Sequence, residues 1–277
     1  MKYLVILYGL PNGGKLSWNS IKNNLIKPLN ADLAVVIPDT LSLPNRVKNE
    51  AALKFVWILE ERDGLKDYYA KLGFENSYKQ FVENKSHGLY PSGAIAFASK
   101  FKVLENKIEI QQKYDFVIFT RFDNYQVYEK INFDKDLIHI VGGQDYGGIN
   151  DRFLASSSSL IDEVFDVLSF TENNDVSKLN CEKVWFEYLD SKDLLPLVTR
   201  FERNSFLISK KGDPTNWRKG IYKLYFYKNT YIKYPQEFID AMKNSFKNNK
   251  FKHPRFQLNY LYLLTKIQLG KIKRAYE

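Results

Sequence analysis

The chain has 277 residues, 44% of them hydrophobic and 26% charged, the balance of a globular protein with one large domain or two small ones. That composition excludes a disordered chain, a collagen-like rod and a disulfide scaffold, and the single cysteine, Cys181, leaves no internal disulfide to form. The net charge of +9 is unevenly spread: residues 1–199 carry 23 basic and 27 acidic side chains, whereas residues 200–277 carry 18 and 5.

In chain order, Lys2 to Tyr8 reads as a buried strand, because Tyr3-Leu-Val-Ile-Leu-Tyr8 is an unbroken apolar run. Gly9 to Gly14 is a turn. A helix follows, with Ser17 as its N-cap, Trp18, Ile21, Leu25 and Ile26 on one face, and Pro28 as its stop. Ala31 to Ile37 is a second strand, so the chain opens with a βαβ unit. Glu50 to Ala70 is expected to be helical. Gly88 to Gly93 is a loop, and Ser92 caps a long helix whose apolar positions are Ile95, Phe97, Phe101, Leu104, Ile108 and Ile110.

Tyr114 to Thr120 is a buried strand ending in Arg121-Phe122-Asp123, and Leu137 to Val141 is another, ending in Gly142-Gly143. A polar loop runs from Gln144 to Arg152, followed by a short strand at Phe153–Ala155. Helices are expected at Ser159–Phe170 and Glu182–Leu189, a strand at Ser205–Ile208, a loop at Gly212–Trp217, and a largely helical tail. No apolar run reaches the roughly 20 residues of a membrane-spanning helix. No secretory signal opens the chain, so a cytoplasmic location is expected.

Three segments carry candidate chemistry, all at expected strand ends, where open α/β sheets bind ligands. Gly9-Leu-Pro-Asn-Gly-Gly14-Lys15 nearly spells a phosphate-binding loop, but Leu16 stands where the metal-binding hydroxyl belongs. It reads as a P-loop, a glycine turn touching a nucleotide, or a plain turn. In Arg121-Phe122-Asp123, the carboxylate suits a divalent metal or a ribose hydroxyl and the arginine suits a phosphate; structural pairing is the alternative. Gly142 to Phe153 holds four glycines with Asp145, Asn150, Asp151 and Arg152, a set fitted to a polyhydroxyl ligand with a carboxylate as base, or else to a surface turn. His87, His139 and His253 lack metal-ligand spacing and, with Cys181, read as structural or solvent-facing. Tyr222, Tyr225, Phe226, Tyr227, Tyr231 and Tyr234 make the basic tail aromatic, suited to an anionic membrane surface or an anionic ligand, or a solvated face over packed aromatics.

Together these segments resemble the GT-A glycosyltransferase-like proteins of bacterial and viral surface polysaccharide synthesis. The resemblance covers residues 1–220 and rests on Tyr3-Leu-Val-Ile-Leu-Tyr-Gly-Leu-Pro11, Leu25-Ile-Lys-Pro-Leu-Asn-Ala-Asp-Leu-Ala34, Tyr114-Asp-Phe-Val-Ile-Phe-Thr-Arg-Phe-Asp123, Gly147-Gly-Ile-Asn-Asp-Arg-Phe153 and Gly212-Asp-Pro-Thr-Asn-Trp217. It implies an α/β, Rossmann-like nucleotide-sugar-binding core, with residues 221–277 as a basic, mainly helical extension. The implied reaction moves a sugar from a nucleotide-sugar donor to a hydroxyl of a glycan or lipid-linked acceptor. Tyr8, Gly9, Pro11, Arg121 and Asp123 would bind the donor, and Gly147, Gly148, Asn150 and Arg152 the acceptor. Asp151, then Asp145, are the candidate bases. Asp123 would take the place of the metal-binding Asp-x-Asp motif, with Mn²⁺ or Mg²⁺ as its cation, but Arg121 replaces the first aspartate. A kinase or nucleoside triphosphatase using Lys15, and a noncatalytic carbohydrate-binding protein, are the competing classes. No nucleic-acid partner is expected.

Overall fold

A computed structural model describes residues 1–60, 64–83, 91–128, 132–143, 145–210, 224–227, 230–247, 260–261 and 264–265. The fold is α/β. The strands of the main sheet are β1 (Tyr3–Tyr8), β2 (Asp32–Pro38), β3 (Leu53–Leu59), β4 (Phe116–Arg121), β6 (Ile138–Val141), β7 (Phe153–Ser157) and β8 (Val198–Phe201). Their order is β3-β2-β1-β4-β7-β6-β8. All neighbours run parallel except at β7, which is antiparallel to both β4 and β6. β5 (Asn124–Gln126), β9 (Ser205–Lys210), β10 (Leu224–Tyr227) and β11 (Thr230–Ile232) form a second, antiparallel sheet in the order β10-β11-β9-β5.

The continuous apolar runs follow from burial on both faces of the main sheet. Leu4 and Ile6 face one core, with Phe97, Phe165 and Trp185 from the helices Pro91–Glu105, Ile161–Phe165 and Cys181–Ser191. Val5 and Leu7 face the other, with Trp18, Ile21 and Leu25. A third core lies between β9, β11 and the helix Pro235–Lys247, built from Phe206, Ile208, Ile232, Phe238 and Met242.

Several local expectations are corrected. Within Glu50–Ala70, Leu53–Leu59 is the edge strand β3, and the helix is confined to Leu65–Lys71. Leu-Lys-Phe-Val-Trp-Ile-Leu is rich in β-branched and aromatic residues, and its burial alternates, with Val56 and Ile58 exposed. The first helix opens at Gly14 with Gly13 as N-cap, so Ser17 lies inside it. Pro28 does not stop it: a π turn over Lys22–Ile26 leads into Lys27–Leu29, and Asn30 ends it at φ 46°. The wider turn relieves the clash between a proline ring and the carbonyl four residues back. The helix expected from Ser92 already includes Pro91, and it breaks at Asn106 before a second helix, Lys107–Lys113, leaving Ile108 66% exposed and outside the core. Beyond residue 220 the chain is strand before it is helix: β11 pairs with β9, and the Pro235–Lys247 helix packs on that sheet. The boundary expected at residue 220 therefore falls between strands of one sheet. The Gly212–Trp217 loop, His87, His253 and Gln144 lie outside the described residues.

Candidate functional site

β1 has β2 on one side and β4 on the other, with the chain leading from β1 outward in one direction and returning on the opposite side to β4. This is a topological switch point, where the ends of parallel strands diverge and leave a crevice. Tyr8 and Arg121, the last residues of β1 and β4, are register partners, and Phe153 at the start of β7 pairs with Thr120. The Gly142–Arg152 loop, running from β6 into β7, therefore arrives at the same sheet edge.

Asp123 is buried at this edge. Arg121 grips it in a fork, Nε to Oδ1 at 2.8 Å and Nη2 to Oδ2 at 3.0 Å, and Lys233, just after β11, donates to Oδ2. Burial alone would raise the carboxyl's pKa, but Arg121 and Lys233 hold it well below the ordinary carboxylate range. The turn is fixed from below: the hydroxyl of Ser17 donates to the carbonyls of Phe122 and Asn124, on either side of Asp123. With 29% of its side chain exposed, Arg121 is the most open charged member of the group, against 3% for Asp123 and 4% for Lys233.

A second cluster adjoins the first through Tyr8. Its ring stacks on Phe119 at 4.3 Å, its hydroxyl reaches the carbonyl of Asp151 at 3.5 Å, and burial raises its pKa. Asp151, in turn, has Lys100 Nζ 3.8 Å from Oδ2. Arg152 is clamped by Glu237 and lies 3.8 Å from Glu182, with its guanidinium 4.3 Å from the Tyr234 ring centre. Arg203 also faces Glu237, at 3.6 Å, and its Nε and Nη2 donate to the carbonyls of Gly142 and Gly143. Glu182 stands in the first turn of the Cys181–Ser191 helix. Burial, then the negative charge of Asp151, push its carboxyl up to about 7.

Compared with known protein families and with curated proteins, the chain matches none.

The residues singled out from the sequence are thus distributed unequally. Arg121, Asp123, Asp151 and Arg152 all lie within electrostatic reach of Tyr8. Gly9, at φ +80°, and Pro11 lie in the turn after β1. Asp145 accepts from the Asn150 amide at 3.1 Å and faces Arg200 at 3.4 Å, while the Asn150 side chain donates to Gly143. Both residues brace the loop. A side chain at Gly147 would meet Lys183, and one at Gly148 the backbone of Glu182, so these glycines let the loop lie against the helix start. His139, buried in β6, accepts a hydrogen bond at Nε2 from the backbone amide of Asp134 at 2.8 Å. Cys181 has its thiol pKa raised by burial.

The residues do not fit a divalent cation. Both oxygens of Asp123 are taken by cationic donors, and among the described residues no group of three or more His, Cys, Asp or Glu side chains could hold a metal. Cavities of about 420 Å³, beside Ile37, Leu43 and Val56, and about 360 Å³, beside Phe170 and Ser191, include no member of the charged cluster.

Sequence reasoning missed Lys100, Glu182, Arg203, Lys233 and Glu237. Lys100 carried a signal: it stands three residues after Phe97 and four before Leu104, on the helix's apolar stripe. Glu182 opens the expected Glu182–Leu189 helix, where an acidic residue complements the helix dipole and marks no site. Lys233 and Glu237 belong to a segment whose charge pattern pointed outward.

Proposed function

We propose that the chain is a GT-A-like glycosyltransferase that moves a sugar from a nucleotide-sugar donor to a hydroxyl of a glycan or lipid-linked acceptor. The observation that carries this reading is the Arg121 fork at the switch point. Asp123 engages Nε and one Nη2 hydrogen, which leaves three guanidinium N–H groups to meet a diphosphate. The arginine is oriented before any ligand arrives, and a planar donor so held suits the charge that develops on a departing phosphate oxygen. The resemblance of Tyr3–Pro11, Tyr114–Asp123 and Gly147–Phe153 to that family supports the same placement.

In this mechanism the acceptor oxygen bonds to the anomeric carbon as the bond to the diphosphate breaks, and its electron pair leaves on the phosphate oxygen. Arg121 offsets that charge, and the fork needs no metal. The acceptor's proton passes to the Asp151–Glu182 pair, where Asp151 lies beside Tyr8 and Glu182 is held near neutrality. Asp145, engaged by Arg200, is the weaker candidate. The excess of basic residues after 200 suits a peripheral contact with an anionic membrane bearing a lipid-linked acceptor.

The test is a thermal-shift screen of nucleotide sugars with and without Mn²⁺, followed by assay of nucleoside diphosphate release. One donor should raise the melting temperature without metal, and release should require an acceptor. Binding of nucleoside triphosphates that is lost in Lys15→Ala would favour the kinase class instead. Sugar binding without release would favour a carbohydrate-binding protein.

A further inference from the structure

Lys100 is wholly buried in the helix Pro91–Glu105, and its Nζ makes no hydrogen bond among the described residues. It is walled by aromatic rings, with Trp185 at 4.8 Å, Phe97 at 5.1 Å and Phe119 at 5.8 Å from ring centre to Nζ. Its partner is Asp151 Oδ2, and at 3.8 Å this is a charge contact rather than a hydrogen bond. An ammonium held in such a place loses its hydration, and desolvation lowers the Lys100 pKa against the opposing pull of Asp151. A core that needed only volume here would be served by Met or Leu. The groups facing the pair are Tyr8 from β1 and Cys181 and Glu182 from the Cys181–Ser191 helix, with Arg152 adjoining Asp151 in the chain.

We infer that Lys100 is a positioning residue, the buried counter-cation that fixes the Asp151 carboxylate beside the acceptor site. It touches no reactant and acts only through Asp151. Its consequence for turnover rests on the transferase reading; the charge coupling itself does not.

The experiment compares the full-length protein with Lys100→Met, Asp151→Asn and the double variant. Melting is followed from pH 5 to 9, and the pH profile of kcat is taken with the donor found by the screen. In Lys100→Met the Asp151 charge is uncompensated, and protonation relieves it. The variant should melt on the order of 10 °C below the parent at high pH, with the deficit shrinking as the pH falls. The acidic limb of kcat should move up by about one unit or more. Adding Asp151→Asn should erase the pH dependence of the deficit and recover melting temperature. A deficit equal at every pH, or a double variant no more stable than Lys100→Met, would overturn the inference, including the case in which neither folds. The expected melting pattern with no donor turned over would leave the coupling standing and refute the transferase reading.

Discussion

Glu182 gives the site a pH signature that can be read without knowing its substrate. Its carboxyl moves from an ordinary 4.5 to about 7 in the folded chain, which corresponds to about 3 kcal/mol. The folded chain holds this proton more tightly than the unfolded chain does. The stabilisation is therefore fully present below about pH 4.5 and is lost as the pH rises to about 7. Glu182→Gln carries no charge at any pH, keeps nearly the same shape and can still meet Arg152. At pH 8 it should be more stable than the parent by at most about 3 kcal/mol, a melting difference on the order of 5 °C for a chain of this size. At pH 4 the two should coincide. Urea unfolding at half-unit steps from pH 4 to 8 measures the difference directly. Parallel stability curves across that range would refute the reasoning, because they would mean that Glu182 ionises alike in both states.

Arg121→Gln should weaken donor binding about 10- to 100-fold, read by calorimetry in the absence of metal; unchanged affinity would place the diphosphate elsewhere. Asp123→Ala should abolish transfer and also cost stability, about 3–5 kcal/mol, because it strands Arg121 and Lys233 without their shared anion; a fully active, stable variant would remove Asp123 from the site. Asp151→Asn should lower turnover about 10²- to 10⁴-fold with little change in donor affinity, and unchanged turnover would pass the role to Glu182 alone. Glu237→Ala leaves Arg152 and Arg203 facing each other and should destabilise by about 3–5 kcal/mol in chemical denaturation; a loss under 1 kcal/mol would show that Glu237 is not what offsets the two buried guanidinium groups.

The elements that bury both faces are legible in the order of the residues alone. The runs from Leu4 to Leu7 and from Phe116 to Phe119 were legible because a strand covered on both sides has no polar position to interrupt it. Their polar ends, Arg121 and Asp123 after one and the glycine turn after the other, were legible for the same reason, since polarity resumes where burial stops. Leu53–Leu59 was misread because its exposed positions, Val56 and Ile58, are apolar, so the alternating burial of an edge strand leaves no period-two polarity in the sequence. Which charges meet depends on how the elements pack. Lys100, Glu182, Lys233 and Glu237 come from three helices and the segment after β11, between 30 and 110 residues from the partners they serve. No local period encodes such a meeting: a buried ion pair is specified by two elements that each look ordinary alone, and its energy exists only once packing has excluded the water between them.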